Sequence, residues 1–120
     1  MANPVVHFEI MGKNGKKLQD FYQSLFGWEI DAKNPMNYGL TKTRIDNHGI
    51  DGGIGQVDAN MPGGYVTAYA AVPDIQKSLD KAVKLGATVV VPVTEIPQMV
   101  TYALFKDPEG NFFGLVKDQM

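Results

Sequence analysis

Apolar and polar residues alternate near the start of the chain with the period of two that is typical of a β-strand. In the segment 5–11, one face carries Val6, Phe8 and Ile10, and the other carries His7, Glu9 and Met11. After a break at 12–15, the period becomes that of a helix, which we predict from Gly15 to about Leu25 with Asn14 as its N-cap. The predicted apolar stripe of this helix is Leu18, Phe21, Tyr22 and Leu25, and Gly27 is expected to end it.

Three more strands are predicted before residue 58, and the same series of elements then repeats. The first three begin at Trp28, at Tyr38 and at Asp51, with a hairpin turn over 46–49. A glycine-rich linker covers 58–64. The second series is predicted as a strand at 65–72, a helix opened by Pro73–Asp74 and ended by Gly86, and strands at 88–93, 99–106 and 112–117. The predicted apolar stripe of this helix is Ile75, Leu79, Ala82 and Val83.

This order predicts an α+β fold made of two β-α-β-β-β modules, at about 4–57 and 65–118 of one 120-residue domain. A module of this size is too small to be stable alone, so the two should pair, either within one chain or between two chains. Both helices are amphipathic on one side only. They are therefore expected to cover one face of the sheet and to leave the other face open to a ligand or partner.

Charge and composition narrow the functions that are open to the chain. The formal net charge is −2, and the longest basic cluster is a short one at a predicted helix start, so a nucleic-acid partner is not expected. The absence of cysteine excludes disulfides and thiolate chemistry. No apolar stretch approaches the roughly 18 residues of a membrane span, and no secretion signal is evident at the N-terminus. We therefore expect a cytoplasmic protein that does not enter a membrane.

The opening strand, two sequence motifs and the restart of the pattern carry a family resemblance. They are the opening strand with His7, the segment Phe21–Trp28 (FYQSLFGW) and the segment Asp107–Leu115 (DPEGNFFGL), together with the restart at 72–74. The chain resembles the vicinal oxygen chelate superfamily, in particular its glyoxalase/bleomycin resistance protein-like members. The resemblance implies a curved mixed sheet with a concave cleft, the glyoxalase/bleomycin resistance/dihydroxybiphenyl dioxygenase fold. That fold serves lyases, dioxygenases, epimerases and binding proteins.

The resemblance also implies four metal-ligand positions, which fall at His7, Gly55, Thr67 and Gly114. Only His7 offers a strong ligand, because glycine has no side-chain donor and a threonine hydroxyl binds divalent metals poorly. We therefore expect no metal and no other cofactor, and neither glyoxalase I nor extradiol dioxygenase activity. An alternative metal site could be formed by His7, Glu9 and His48.

The favoured hypothesis is a metal-independent domain that binds a small organic molecule in the cleft and forms a homodimer. The predicted lining residues are His7, Glu9, Gly55, Thr67, Tyr69, Tyr102 and Gly114. A metal-dependent lyase with misregistered ligands and a protein-interaction module remain as alternatives. The sequence assigns no catalytic residue and does not name the ligand.

Two local features have more than one interpretation. Glu9 is expected to raise the pKa of His7, which could then bind a ligand or act as a base; the other interpretation is a polar residue whose hydrogen bonds are already satisfied. The glycines over 52–55 lack the helix and the Lys-Ser/Thr of a phosphate loop. They could instead allow close strand packing or leave room for a ligand, and Gly114 could act in the same way.

Overall fold

The computed structural model describes residues 2–117, in which eight strands and two helices follow the order strand, helix, three strands, twice. The first series is β1 (Val5–Gly12), α1 (Gly15–Phe26), β2 (Glu29–Asp31), β3 (Gly39–Lys42) and β4 (Gly52–Gln56). The second is β5 (Tyr65–Val72), α2 (Ile75–Lys84), β6 (Thr88–Ile96), β7 (Val100–Lys106) and β8 (Phe112–Lys117). The predicted α+β class is confirmed. Residue 118, the predicted end of the second module, lies outside the described residues.

The described chain divides into two compact units. The first unit is His7–Val66, and the second comprises the described residues before His7 and after Val66. In the first unit the strands follow the order β2-β3-β4-β1, in which β4 runs parallel to β1 and antiparallel to β3. This mixed arrangement places the part of β1 from Phe8 to Met11 beside the glycines of β4.

The second unit has the strand order β5-β8-β7-β6, with β5 parallel to β8. Its hydrophobic core lies where α2 packs on the sheet, and it consists of Val72, Ile75, Leu79, Ala103 and Leu115, with Phe105 packed against it. Ile75 and Leu79 are buried as predicted, but Val83 is 47% exposed. Among the described residues, neither helix is long and apolar enough to cross a membrane.

Helix α1 begins and ends as predicted but turns a different face to the sheet. Asn14 caps it by accepting from the Lys17 backbone N–H, and Gly27 follows it in the left-handed conformation. Its two buried residues are Gly15 and Gln19, whereas the predicted stripe residues Phe21 and Leu25 are more than half exposed. The predicted stripe is therefore wrong at these two positions.

Helix α1 turns this unexpected face to the sheet because it approaches β4 closely. A Cβ at Gly15 would lie 3.1 Å from both the Cβ and the backbone N of Gln56, so only glycine fits there without a shift. With its smallest residue against the strand, α1 turns Phe21 and Leu25 away from the sheet.

The predicted hairpin turn at 46–49 is confirmed. Ile45 and His48 exchange two backbone hydrogen bonds, of 3.0 and 2.8 Å. The two residues between them, Asp46 and Asn47, have φ angles of 49° and 66°. Two successive left-handed residues are typical of the tight type I′ hairpin turn.

Strand β6 is longer and less regular than predicted. It extends to Ile96 and pairs antiparallel with β7, with register shifts between Val89 and Val91 and again between Val91 and Thr94. Pro92 falls within the second irregularity. In the described sheet order, β6 is the terminal strand of the second unit.

Candidate functional site

Tyr38 lies between His7 and Glu9 and joins them by two hydrogen bonds. Its hydroxyl oxygen is 2.8 Å from His7 Nε2, and its hydroxyl group donates to Glu9 Oε2 over 2.8 Å. The hydroxyl of Tyr65 donates to the other carboxylate oxygen, Glu9 Oε1, over 3.5 Å. His7 and Glu9 are two residues apart on β1, so they share one face of the strand, as predicted. We call these four residues the Tyr38 cluster.

The single proton of the Tyr38 hydroxyl fixes the direction of this chain of hydrogen bonds. Because that proton is donated to Glu9, the Tyr38 oxygen accepts from His7 Nε2–H. His7 then carries a proton on Nε2, and in its neutral form the basic lone pair is on Nδ1. Such a chain can orient a polar group of a ligand, and a proton taken up by His7 would be stabilised through Tyr38 by the carboxylate.

Burial, rather than the neighbouring carboxylate, determines the protonation of His7. Desolvation lowers the pKa of His7 below its ordinary value, and the charge of Asp51 offsets only part of this effect. The expectation that the pKa of His7 is raised is therefore wrong. Burial therefore favours the neutral imidazole, in a setting where Glu9 itself is only 8% exposed.

The ring of Tyr38 fills the space that two glycines of β4 leave. A Cβ at Gly53 would lie 1.9 Å from Tyr38 Oη, and a Cβ at Gly55 would lie 3.0 Å from Tyr38 Cδ1 and 3.3 Å from Met11 Sδ. Of the two interpretations of these glycines, close packing therefore describes the first unit. The tyrosine that packs there is also the one that holds His7 and Glu9.

The strand registers identify the counterpart of Gly114 in the first unit. Glu9 pairs with Gly53 between β1 and β4, and Tyr69 pairs with Gly114 between β5 and β8. Glu9 follows His7 by two positions, as Tyr69 follows Thr67. By register, Gly53 therefore pairs with β1 as Gly114 pairs with β5, and the predicted Gly55 lies two residues further along the same face of β4.

In the second unit, three of the four predicted residues lie together. A Cβ at Gly114 would lie 2.2 Å from Tyr69 Cδ2, so the Tyr69 ring fills the space over this glycine. The rings of Tyr69 and Tyr102 have centroids 6.5 Å apart. Thr67 is engaged differently, because its buried hydroxyl donates to the Phe112 carbonyl over 2.7 Å.

The residues at the implied metal positions do not fit a metal ion. Gly55 and Gly114 carry no donor, the Thr67 hydroxyl proton is given to a backbone carbonyl, and His7 Nε2 is bonded to Tyr38. Within residues 2–117 there is no group of three His, Cys, Asp or Glu residues that could hold a metal. His48 consequently does not complete a metal site with His7 and Glu9.

The loop that carries Tyr38 is held by two amide side chains. Asn34 binds both backbone groups of Tyr38: its Oδ1 accepts from the N–H at 3.0 Å, and its Nδ2 donates to the carbonyl at 2.8 Å. Gln19 Nε2 donates to Asn37 O over 3.1 Å and to Ile54 O over 2.7 Å. Sequence reasoning missed Gln19 and the central position of Tyr38. The adjacent glycines at 52 and 53 were a usable signal, because an absent side chain on a sheet needs another residue to fill its place.

Solved structures of low sequence identity share the fold. A Streptomyces coelicolor methylmalonyl-CoA epimerase variant in complex with 2-nitronate-propionyl-CoA has a TM-score of 0.67 at 12% identity, over 100% of both chains. A glyoxalase/bleomycin resistance protein/dioxygenase superfamily member from Vibrio splendidus 12B01 has a TM-score of 0.61 at 18% identity, over 98% of this chain and 100% of the other. A Legionella pneumophila protein described as an NAD-dependent benzaldehyde dehydrogenase has a TM-score of 0.63 at 12% identity, over 92% and 97%. Such different descriptions on one fold leave the activity to be argued from the site.

A family model decides the classification. No curated protein matches the sequence. The model of the glyoxalase-like domain matches residues 10–116, which is most of the chain and includes both motifs that carry the resemblance. The predicted resemblance is confirmed, and the chain belongs to the glyoxalase-like domain family.

Proposed function

We propose that this glyoxalase-like domain binds a small organic molecule without a metal ion, and that the Tyr38 cluster supplies polar recognition. The observation that carries the proposal is the Tyr38 phenol held between His7 and Glu9 by two 2.8 Å hydrogen bonds. These bonds fix the direction in which each polar group points. A site ordered in advance loses less freedom when its ligand binds.

The proposed lining residues differ between the units. In the first unit they are His7, Glu9 and Gly55, to which we add Tyr38 and Tyr65; in the second they are Thr67, Tyr69, Tyr102 and Gly114. Tyrosines suit this role because each combines an apolar ring with a hydrogen-bonding hydroxyl. Homodimer formation and a cytoplasmic location belong to the same proposal.

A binding screen tests this function. Purified protein is screened by thermal shift against planar aromatic acids, glycopeptide antibiotics and thiol adducts of α-ketoaldehydes, and each hit is titrated by calorimetry. We expect a hit whose affinity falls at least about tenfold in His7→Ala and in Tyr38→Phe, since each change removes a charge-assisted or buried hydrogen bond. The matched control is His48→Ala in the hairpin turn, which should bind as tightly as the wild type.

Two outcomes would contradict the proposal. Elemental analysis after incubation with Zn²⁺, Ni²⁺ or Mn²⁺ and dialysis should find less than stoichiometric metal. A tightly held equivalent would favour a metal-dependent lyase instead. A hit that His7→Ala and Tyr38→Phe leave unchanged would place binding away from the Tyr38 cluster. Light scattering after gel filtration tests the dimer.

A protein-interaction module is the second candidate, and one observation favours it. Phe21, Leu25 and Phe26 on α1 are 56%, 57% and 56% exposed, which is unusual for three large apolar residues within two helical turns. Failure of the whole ligand panel would favour this candidate.

A further inference from the structure

Gln19 is a polar residue in the middle of α1 that is turned toward the sheet. Only 6% of it is exposed, although Phe21 and Leu25 on the same helix lie outward. Burying a side-chain amide is unfavourable unless its hydrogen bonds are satisfied. A helix that buries glutamine and exposes phenylalanine therefore has a specific use for the amide.

The amide of Gln19 holds two separate segments of the first unit. It donates to the carbonyl of Asn37, the residue immediately before Tyr38, and to the carbonyl of Ile54, the residue between Gly53 and Gly55. Asn37 has a φ angle of 52°, which is uncommon for a residue other than glycine. The two protons of one NH₂ group thus fix both the backbone that presents the Tyr38 ring and the strand on which that ring lies.

A third glycine makes room for this arrangement. A Cβ at Gly39 would lie 2.9 Å from Gln19 Nε2 and 2.6 Å from Ile30 Cγ2. Gly39 follows Tyr38 directly, so the chain has small or unusual backbone positions on both sides of the tyrosine. Both of them face the glutamine amide.

We infer that Gln19 is a positioning residue that seats Tyr38 against β4 and so sets the hydrogen bonds from Tyr38 to His7 and Glu9. Its relevance to ligand binding rests on the proposed function. The positioning itself can be measured without a ligand, so the two can fail separately.

The main test replaces the amide by an apolar side chain of similar length. In Gln19→Met both carbonyls lose their donor, and the Tyr38 backbone is free to shift. We expect the His7 Nε2–H signal, measured by NMR of the imidazole, to be broader than in the wild type or absent, and the Tyr38 ring resonances to move. The matched control is Gln23→Met, the same change at an exposed position on the same helix, which should leave both signals unchanged. A folded Gln19→Met protein with wild-type His7 and Tyr38 signals would overturn the inference.

A second measurement avoids dependence on the folding of that variant. Coupling between two sites is reciprocal, so removing the Tyr38 ring should also change the environment of the Gln19 side-chain amide. In Tyr38→Ala we expect faster hydrogen exchange of the Gln19 side-chain amide, with the Gln23 amide as reference. Unchanged Gln19 exchange would mean that the glutamine only supports the helix. If ligand binding fails while these signals respond as expected, the proposed function is lost and the positioning role stands.

Discussion

The ring of Tyr38 lies against Gly53, in the space where any other residue would place its side chain. A Cβ at this glycine would lie 1.9 to 2.1 Å from three atoms of the phenol. The hydroxyl that bridges His7 and Glu9 therefore depends on a residue of β4 that has no side chain. The geometry of the Tyr38 cluster is set as much by this absent group as by the groups that form hydrogen bonds.

Gly53→Ala should displace Tyr38 and break its two hydrogen bonds. We expect the free energy of unfolding in urea to fall by about 1–3 kcal/mol, the usual cost of inserting a methyl group into a packed region. The His7 imidazole signals should change at the same time. The same substitution in a Tyr38→Ala background should cost clearly less, because the clashing ring is gone. Equal costs in both backgrounds would contradict this contact.

Two neighbouring glycines of the linker should respond very differently to alanine. A Cβ at Gly64 would lie 2.0 Å from the backbone carbonyl oxygen of Met11, whereas a Cβ at Gly63 would meet nothing within 4 Å. Because a backbone atom cannot rotate away as a side chain can, we expect Gly64→Ala to destabilise by more than about 2 kcal/mol. Gly63→Ala should stay within about 0.5 kcal/mol. Urea denaturation of the two variants side by side decides the matter.

The hydroxyl of Thr67 should contribute to stability in the second unit. It is buried and donates to the Phe112 carbonyl over 2.7 Å. Thr67→Val keeps the shape and leaves that carbonyl without this donor, so we expect a loss of about 1–2 kcal/mol in the free energy of unfolding. Thr88→Val, at the exposed start of β6, is the matched control and should be nearly neutral. A neutral Thr67→Val would show that the threonine is held only by its packing.

Mild acid should destabilise the protein through His7. Its pKa is lower in the folded chain than the ordinary value of about 6.5, so the unfolded chain binds this proton more readily. The contribution of His7 to the free energy of unfolding is complete above about pH 6.5. It is lost as the pH falls from there through the lowered pKa of His7 in the folded chain. Tyr38, Glu9 and Asp51 are among the polar and charged groups that act on His7, directly or through the hydrogen-bonded chain.

Urea denaturation at several pH values between 7.5 and 5 measures this loss. The slope should not exceed about 1.4 kcal/mol per pH unit, the limit for one proton. His7→Gln should remove it, and His48→Gln should leave it in place. A separate effect of Asp107 is confined to lower pH. Hydrogen bonds from Asn111 lower the pKa of the Asp107 carboxyl. Its contribution to the free energy of unfolding is therefore present above about pH 3.9 and is lost as the pH falls below that value. For His7, a loss of stability between pH 7.5 and 5 that persists in His7→Gln would contradict the prediction.

The sequence predicted well what depends on local chemistry. The Asn14 cap, the stop at Gly27 and the hairpin turn at Asp46–Asn47 follow from backbone preferences that a few neighbouring residues determine. The order of the strands and helices followed from periodicity. These features did not require knowledge of the tertiary packing.

The parts that failed depend on contacts distant in sequence. Periodicity put Phe21 and Leu25 inside, but the close approach of Gly15 to β4 turned Gln19 inward instead. Tyr38 was one of several strand aromatics until the position of its ring over Gly53 was known. Desolvation of His7 likewise depends on the folded surroundings, which explains why the direction of its pKa shift was predicted wrongly.

The two register shifts of β6 and its proline have a consequence for the behaviour of concentrated protein. The run Val89–Val93 combines high β-propensity with no charge, as do segments that stack into fibrils. A terminal strand with such a run would normally present a template for further chains. Here Pro92 has no amide proton to donate, and the two register shifts interrupt the regular pairing of the strand. A second molecule therefore finds no continuous ladder on which to nucleate growth.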